Sequence, residues 1–312
     1  MTTPSTTPLA SPLVAVVTTG GTIASTVDTG GVSRPTLGGD ELVGAAAARV
    51  GVRTRVVEAL RVDSSTLTLA DAWTVVSTVH GALTDPDVAG VVVLHGTDSL
   101  EETAYLLDLH HDDPRPVVLT GSQRTADHPE PDAPANVRDA LRAATSATGV
   151  QVAFGGALLP AAGVAKRHTS DLAAFAAPDG PLPRVPLAPV DAPWPRVDVV
   201  AGYPGMDGVL LDACVAAGAR GIVLQGLGSG NATPAVVAAV ARARDAGVAV
   251  VLTTRVPAGP VVTSYGDGGG GADLAAAGAV PAGRLKAGQA RVLLAALLRA
   301  GADVGGAFAA RG

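Results

Sequence analysis

The sequence predicts an α/β protein of two domains: a larger N-terminal domain on a mostly parallel sheet, a Pro-rich linker, and a smaller C-terminal α/β domain. Three observations carry that prediction. Short Val/Ile-rich runs alternate with Ala/Leu-rich stretches of helical length, which is the pattern of βαβ units. The 312 residues exceed what one small core needs and suit two domains. Apolar residues make up 47% but aromatics only 3%, so packing must rest on Val, Ala and Leu, as in sheets buried on both faces.

Residues 1–12 read as a polar, Pro-containing tail and 13–185 as the N-terminal domain. Within it, β-branched content makes strands of Val14–Thr18, Val52–Glu58, Val91–Leu94, Val117–Thr120 and Val152–Ala157. Helices fit Gly39–Val50, Ala70–Thr84, Leu100–His111 and Asn136–Thr148, the third opened by the capping pair Ser99 and Glu102. Eight prolines between Pro178 and Pro204 forbid a helix or a central strand there, so 186–205 reads as an extended linker. The C-terminal domain, 206–312, holds a helix near Asp207–Ala217, a strand at Gly221–Gln225 and a helix from Pro234. A strand at Val248–Thr253 and a last helix at Lys286–Arg299 follow, with Gly266–Gly271 as a flexible loop. No internal repeat is present.

Composition excludes several classes. The net charge is −6, Lys166 and Lys286 are the only lysines, and no basic cluster exists, which argues against a nucleic-acid surface. Cys214 is the single cysteine, so no internal disulfide forms and no metal-ligand spacing is available. It reads as a small buried hydrophobe on a helix. The N-terminus lacks the basic residues and apolar core of a secretory signal, and no apolar run reaches membrane-spanning length. A soluble cytoplasmic protein with no membrane partner is expected.

Chemistry concentrates at strand ends. Val91–Leu94 runs into His95-Gly-Thr-Asp-Ser99, placing a hydroxyl and a carboxylate where open α/β sheets hold ligands. Near the N-terminus, Thr18-Thr-Gly-Gly-Thr-Ile-Ala24 places two glycines at a strand exit, letting backbone amides approach a ligand while Thr22 projects. The plain alternatives are an ordinary βα turn with a capping threonine for the first-strand motif, and a simple N-cap at Asp98 or Ser99. A cap explains one residue of 95–99, not five. Lys166 lies in Val164-Ala-Lys-Arg-His-Thr-Ser-Asp171 of a chain that otherwise uses arginine, and a site needing a deprotonatable amine cannot use arginine. The alternative is a solvated surface charge. Val117-Val-Leu-Thr-Gly-Ser-Gln-Arg124 is another strand end, leading to Asp132 and Asn136. His110-His-Asp-Asp113 closes a helix before Pro114, where the helix dipole alone favours histidine, so no metal is assigned. Gly226-Leu-Gly-Ser-Gly-Asn231, with Arg255 at the next strand end, lacks the G-x-G-x-x-G spacing and supports dinucleotide binding only weakly.

In these residues the chain resembles the bacterial-type L-asparaginases and related glutaminase-asparaginases, from about Val14 to Leu298. Thr-Gly-Gly-Thr-Ile-Ala at 19–24 and His-Gly-Thr-Asp-Ser-Leu-Glu-Glu-Thr-Ala at 95–104 are similar to that family's two signatures. Further matches are Val-Asp-Ser-Ser at 62–65, Thr-Gly-Ser-Gln-Arg at 120–124, Asp132 with Asn136, the Lys166 segment, Tyr-Pro-Gly-Met at 203–206, the Gly221–Asn231 stretch and Arg-Val-Pro-Ala-Gly at 255–259. The resemblance implies a flavodoxin-like C-terminal domain and an amidohydrolase that turns L-asparagine into L-aspartate and ammonia. It implies Thr22 as nucleophile and Thr97, Asp98 and Lys166 as the second catalytic set. It implies that Ser64, with Ser65 beside it, holds the substrate carboxylate, and Asp98 the ammonium. Backbone N–H groups near Gly21 and Thr97 would bind the oxyanion, Gly96 would belong to the substrate-binding set, and the Ser122 main chain would line the pocket. Asn231 would reach a neighbouring subunit's site, making a homodimer or homotetramer the active form. No metal or organic cofactor is implied. One departure stands out: Ser25–Leu42 holds no tyrosine where the family places one, and Tyr265 is the candidate to supply a hydroxyl. Broader glutaminase-asparaginase specificity, a non-catalytic binder of acidic amino acids and an NAD(P)-dependent enzyme are the competing readings. Ammonia release, thermal stabilisation by L-aspartate and dinucleotide binding discriminate among them.

Overall fold

A computed structural model describes residues 11–21, 23, 25–27, 30, 33–35, 39–178 and 180–311. The N-terminal half runs β1 (Leu13–Thr18), β2 (Ser25–Val27), β3 (Ser33–Pro35), α1 (Gly39–Val50), β4 (Arg53–Glu58), α2 (Leu69–Leu83), β5 (Val88–Leu94), α3 (Leu100–His110), β6 (Val117–Thr120), α4 (Ala133–Ala143), β7 (Val150–Phe154), β8 (Ala157–Pro160), β9 (Ala165–Lys166) and β10 (Phe175–Ala176). The C-terminal half runs β11 (Val197–Ala201), α5 (Val209–Ala216), β12 (Gly221–Gly226), α6 (Pro234–Asp245), β13 (Ala249–Thr254), α7 (Gly271–Ala276), β14 (Val280–Pro281), α8 (Ala287–Ala300) and α9 (Val304–Ala309). Among the described residues no helix is long and apolar enough to cross a membrane.

The first sheet is ordered β4-β1-β5-β6-β7-β8, parallel except for the β7–β8 hairpin. Its strands alternate faces with period two. Ala15, Val17, Val91, Val93, Val117 and Leu119 pack under α2 and α3, whereas Val14, Val16, Val92, Leu94 and Val118 pack under α1 and α4. β5 to β6 and β6 to β7 step the same way across the sheet, yet α3 and α4 lie on opposite faces. The α4 crossover therefore has the opposite hand to its neighbours, against the strong right-handed preference of such units. The second sheet, β11-β12-β13-β14, is wholly parallel, with its strands in chain order. A reversal of strand order lies in the first sheet, between β1 and β5.

α8 joins the halves. Its Val292, Leu293 and Leu294 belong to the cluster that holds Leu100 and Leu106 of α3 and also Val223 and Val251 of the second sheet. α5 and α6 cover that sheet's other face with Ile222, Leu224 and Leu252, and Cys214 packs half-buried against them. The region read as linker, 186–205, ends in β11, an edge strand paired with β12. An edge tolerates the surrounding prolines because its outer N–H groups need no partner. The strand expected over Val152–Ala157 breaks at Gly155 and Gly156, whose φ values of +57° and +80° turn the chain back as β8. Pro134 in the first turn of α4 starts that helix before Asn136. Gly271, expected in a loop, opens α7, where Asp273 accepts the Gly270 N–H at 2.9 Å.

Candidate active site

The strand order reverses between β1 and β5, so the crevice at their carboxyl ends is where a ligand belongs. Gly20 and Gly21 leave β1 with φ of +96° and +83°, in the left-handed region. A Cβ on Gly21 would lie 2.6 Å from Gly96 Cα, so the turns after β1 and β5 touch backbone to backbone. Gly21→Ala adds both left-handed strain and a clash, and should cost about 3 kcal/mol in a denaturant melt. Thr22 lies outside the described residues.

Gly96 leaves no room for a side chain against the Ser64 hydroxyl. Ser64 opens a short 3-10 turn, Ser64–Thr66, capped by Asp63, whose carboxylate accepts the Ser65 N–H at 3.0 Å and hydroxyl at 3.1 Å. The buried Ser64 hydroxyl accepts the Asp98 N–H at 3.3 Å, and the Ser64 carbonyl accepts the Ser99 hydroxyl at 2.6 Å. The expected capping box of Ser99 and Glu102 is therefore absent. Ser99 makes no side-chain cap bond, because its hydroxyl ties the 3-10 turn to α3 instead. Glu102 turns toward Gly288 in the first turn of α8.

Thr97 is 5% exposed. Lys166 Nζ donates to Thr97 Oγ1 at 2.8 Å and pairs with Asp98 Oδ1 at 3.0 Å. The lysine side chain is 21% exposed and Asp98 57%, so the trio sits at the wall of an open cleft. Asp98, Lys166, His168 and Thr169 line one side of this region; Ser64, Ser65, Asp98 and Ser99 line an adjoining hollow. Lys166 comes from β9, paired in register with Phe175 of β10. His95 is fully buried with Nδ1 2.7 Å from the Gly96 carbonyl, and burial drives its imidazole down to about 4, so the ring is neutral beside the site.

β6 closes the crevice. Gly121 admits no side chain against the His95 carbonyl, and Ser122 is buried with its hydroxyl donating to Arg124 O at 2.9 Å. Asp132 accepts the Gln123 and Arg124 N–H groups at 2.9 and 3.0 Å. Asn136 donates to Gly121 O at 3.0 Å and accepts the Gly155 N–H at 3.1 Å, fixing this loop from both sides.

The structure thus brings Gly21, Ser64, Ser65, Gly96, Thr97, Asp98 and Lys166 around one crevice, with Ser122 on its β6 flank. Asn231 and Tyr265 stand in the C-terminal half. Asn231 accepts the Gly271 N–H at 3.2 Å, and the Tyr265 carbonyl accepts the Ala272 N–H at 2.8 Å. Neither shares a hydrogen bond with the Thr97 trio among the described residues. Three groups escaped the sequence reading. Gln123 Oε1 lies 3.5 Å from Thr97 Oγ1 while its amide donates to Asp171 O at 3.1 Å. Glu101 accepts the Lys166 N–H at 2.6 Å, and Gln289 ties down the turn before Lys166. Glu101 stood in the motif without a role; nothing in the Gln289 neighbourhood signalled one. His110, expected at a helix end, is buried edge-on against Trp73, with Nδ1 3.0 Å from Leu187 O. Among the described residues no cluster of His, Cys, Asp or Glu is arranged to hold a metal.

Family models match both halves: "Asparaginase, N-terminal" over residues 13–196 and "Glutaminase/Asparaginase C-terminal domain" over 196–305. The chain is 35% identical to an L-asparaginase of Bacillus licheniformis, covering 91% of this chain and 95% of that protein. It is 36% identical to a probable L-asparaginase of Deinococcus radiodurans, covering 95% and 96%. A solved structure, the probable cytoplasmic L-asparaginase from Campylobacter jejuni, superposes with a TM-score of 0.80 at 29% identity over 92% and 95% of the two chains.

Proposed function

We propose that this chain, which belongs to the asparaginase family, hydrolyses the side-chain amide of L-asparagine to L-aspartate and ammonia. The observation that carries the proposal is the ammonium of Lys166 at 2.8 Å from Thr97 Oγ1 and 3.0 Å from Asp98 Oδ1, at the strand-order reversal beside Gly21.

An amide carbonyl is a poor electrophile. Its hydrolysis needs an activated hydroxyl, donors for the developing oxyanion and a proton for departing ammonia. We assign the nucleophile to Thr22, following Gly21. Its hydroxyl attacks the amide carbon, the tetrahedral oxyanion rests on backbone N–H groups near Gly21 and Thr97, and nitrogen leaves as ammonia. Water then cleaves the ester, returning the threonine hydroxyl and releasing carboxylate. Lys166 and Thr97 shuttle the protons while Asp98 orients the lysine and takes the substrate ammonium. Ser64, with Ser65, holds the α-carboxylate, and the Ser122 main chain lines the pocket. Asn231 and Tyr265, which share no hydrogen bond with the trio among the described residues, suit an assembly in which a neighbouring subunit presents them; a homodimer or homotetramer is assigned on that ground. A cytoplasmic location agrees with the description of the Campylobacter jejuni relative.

Purified protein should release ammonia from L-asparagine. Thr97→Val, which keeps the shape and removes the hydroxyl, should lower kcat by roughly a thousandfold, the scale of losing one member of a cooperating set. Equal ammonia release by both proteins overturns the assignment. L-glutamine in parallel measures specificity, where one methylene is worth only about 1–3 kcal/mol.

A further inference from the structure

The hairpin that carries Lys166 is short. β9 and β10 are two residues each; Val164, Ala174 and Phe175 root it in the core, whereas Arg167 to Thr169 beyond the lysine are exposed. Yet the lysine must present Nζ to Thr97 and Asp98 within a few tenths of an ångström, since a misplacement of 1 Å can cost about a hundredfold in rate. Two side chains outside the trio meet that need.

Gln289, on the first turn of α8, is 2% exposed and reaches into the N-terminal half. Its Oε1 accepts the Gly163 N–H at 2.6 Å. Its Nε2 donates to Ala161 O at 2.9 Å, Val164 O at 3.2 Å and Glu101 O at 3.1 Å. One amide therefore gathers the 161–164 turn and the first turn of α3. From that same turn of α3, the Glu101 carboxylate accepts the Lys166 N–H at 2.6 Å. α3 begins immediately after Asp98 and Ser99, so its first turn is built on the other members of the site. Every bond that Gln289 and Glu101 make here joins segments more than sixty residues apart in sequence.

On the amidohydrolase reading above, we infer that Gln289 and Glu101 are positioning residues for Lys166: the C-terminal half sets the reach of the lysine through one buried amide and one carboxylate. Neither touches the substrate. The amide fits the place because it donates and accepts at once; aspartate, glutamate, lysine or an apolar residue supplies only part of that pattern. A part-buried Gly163 N–H or a buried Ala161 carbonyl left without its partner would draw the turn toward water.

The test uses the full chain and two readouts, ammonia release and amide hydrogen exchange. Gln289→Ala should lower kcat about tenfold to a hundredfold while KM for asparagine stays within about twofold, because Ser64 and Asp98 are untouched. Exchange should quicken at Gly163 and Lys166 and stay unchanged in β5 and β6. Glu101→Ala should quicken exchange at Lys166 and slow turnover similarly. Glu101→Gln, which keeps an acceptor for the Lys166 N–H, should restore turnover to within about threefold of wild type. A folded Gln289→Ala with kcat within twofold of wild type overturns the inference. So does unchanged exchange at Gly163 and Lys166, or a Glu101→Gln as slow as Glu101→Ala. If Gln289→Ala does not fold, the Glu101 pair decides. A wild type that releases no ammonia refutes the amidohydrolase reading instead, and exchange alone then judges the positioning.

Discussion

Lys166→Arg is expected to retain less than about a thousandth of the wild-type kcat on asparagine, although it conserves the charge. Arginine holds its proton at every working pH and spreads its charge over a planar fork, so it can pair with Asp98 yet cannot exchange a proton with Thr97. The fork is also wider than an ammonium, so it cannot reproduce both the 2.8 Å and the 3.0 Å contact of Nζ from the same place. Lys166→Met, close in length and uncharged, should be as inactive. Neither change should unfold the protein: the ion pair is partly solvated, with Asp98 57% exposed, and such pairs are worth only about 0–1 kcal/mol. Steady-state ammonia release beside a thermal melt separates the two effects. An arginine variant within tenfold of wild type would mean that the trio needs a cation and no proton transfer.

Glu102→Gln should stabilise the protein, and only at higher pH. The Glu102 carboxyl is enclosed between α3 and the first turn of α8, and its Oε2 is buried without a hydrogen-bond partner. Burial first, then the neighbouring charge of Glu101, raises its pKa to about 7, with Arg291 opposing. Because the folded value lies above the unfolded one, the folded state favours the protonated form. That preference is fully present below pH 4.5 and is lost as pH rises through 7. Ionised above that range, the carboxylate costs roughly 3 kcal/mol relative to a neutral side chain of the same shape. Wild type and Glu102→Gln should therefore be about equally stable at pH 4 and diverge by that amount at pH 8. The buried His95 and His110, whose pKa values burial lowers to about 4, titrate in both proteins and cancel in the difference. Denaturant melts at the two pH values measure it. A gap that is flat with pH would place the Glu102 carboxyl in water.

Strand identity was legible because buried parallel strands are uniform: Val91 to Leu94 and Val117 to Leu119 are wholly enclosed, and nothing but β-branched or leucyl side chains serves there. The site at the ends of β1 and β5 was legible for a related reason. Polar residues directly after an apolar strand have few duties besides capping and chemistry, and Thr97 and Asp98 do not cap α3. What stayed hidden was set by tertiary contact. β9 and β10 are too short to carry a period, and β11 exists because β12 offers an edge beside which prolines are tolerated. Ser99 and Glu102 read as a capping box by spacing alone, but the Ser64 carbonyl took the serine hydroxyl and α8 drew the glutamate aside. Gln289 sits among alanines and leucines, and its value depends on a turn more than a hundred residues away.

α8 is wrapped by apolar groups from both sheets. Until it is made and docked, Leu100 and Leu106 of α3 on one side and Val223 and Val251 on the other face water. The two halves are therefore not interchangeable modules. A fragment ending before α8 would expose a sticky seam and lose its grip on Lys166 in the same stroke, so stable assembly and a competent lysine emerge together, once α8 has docked.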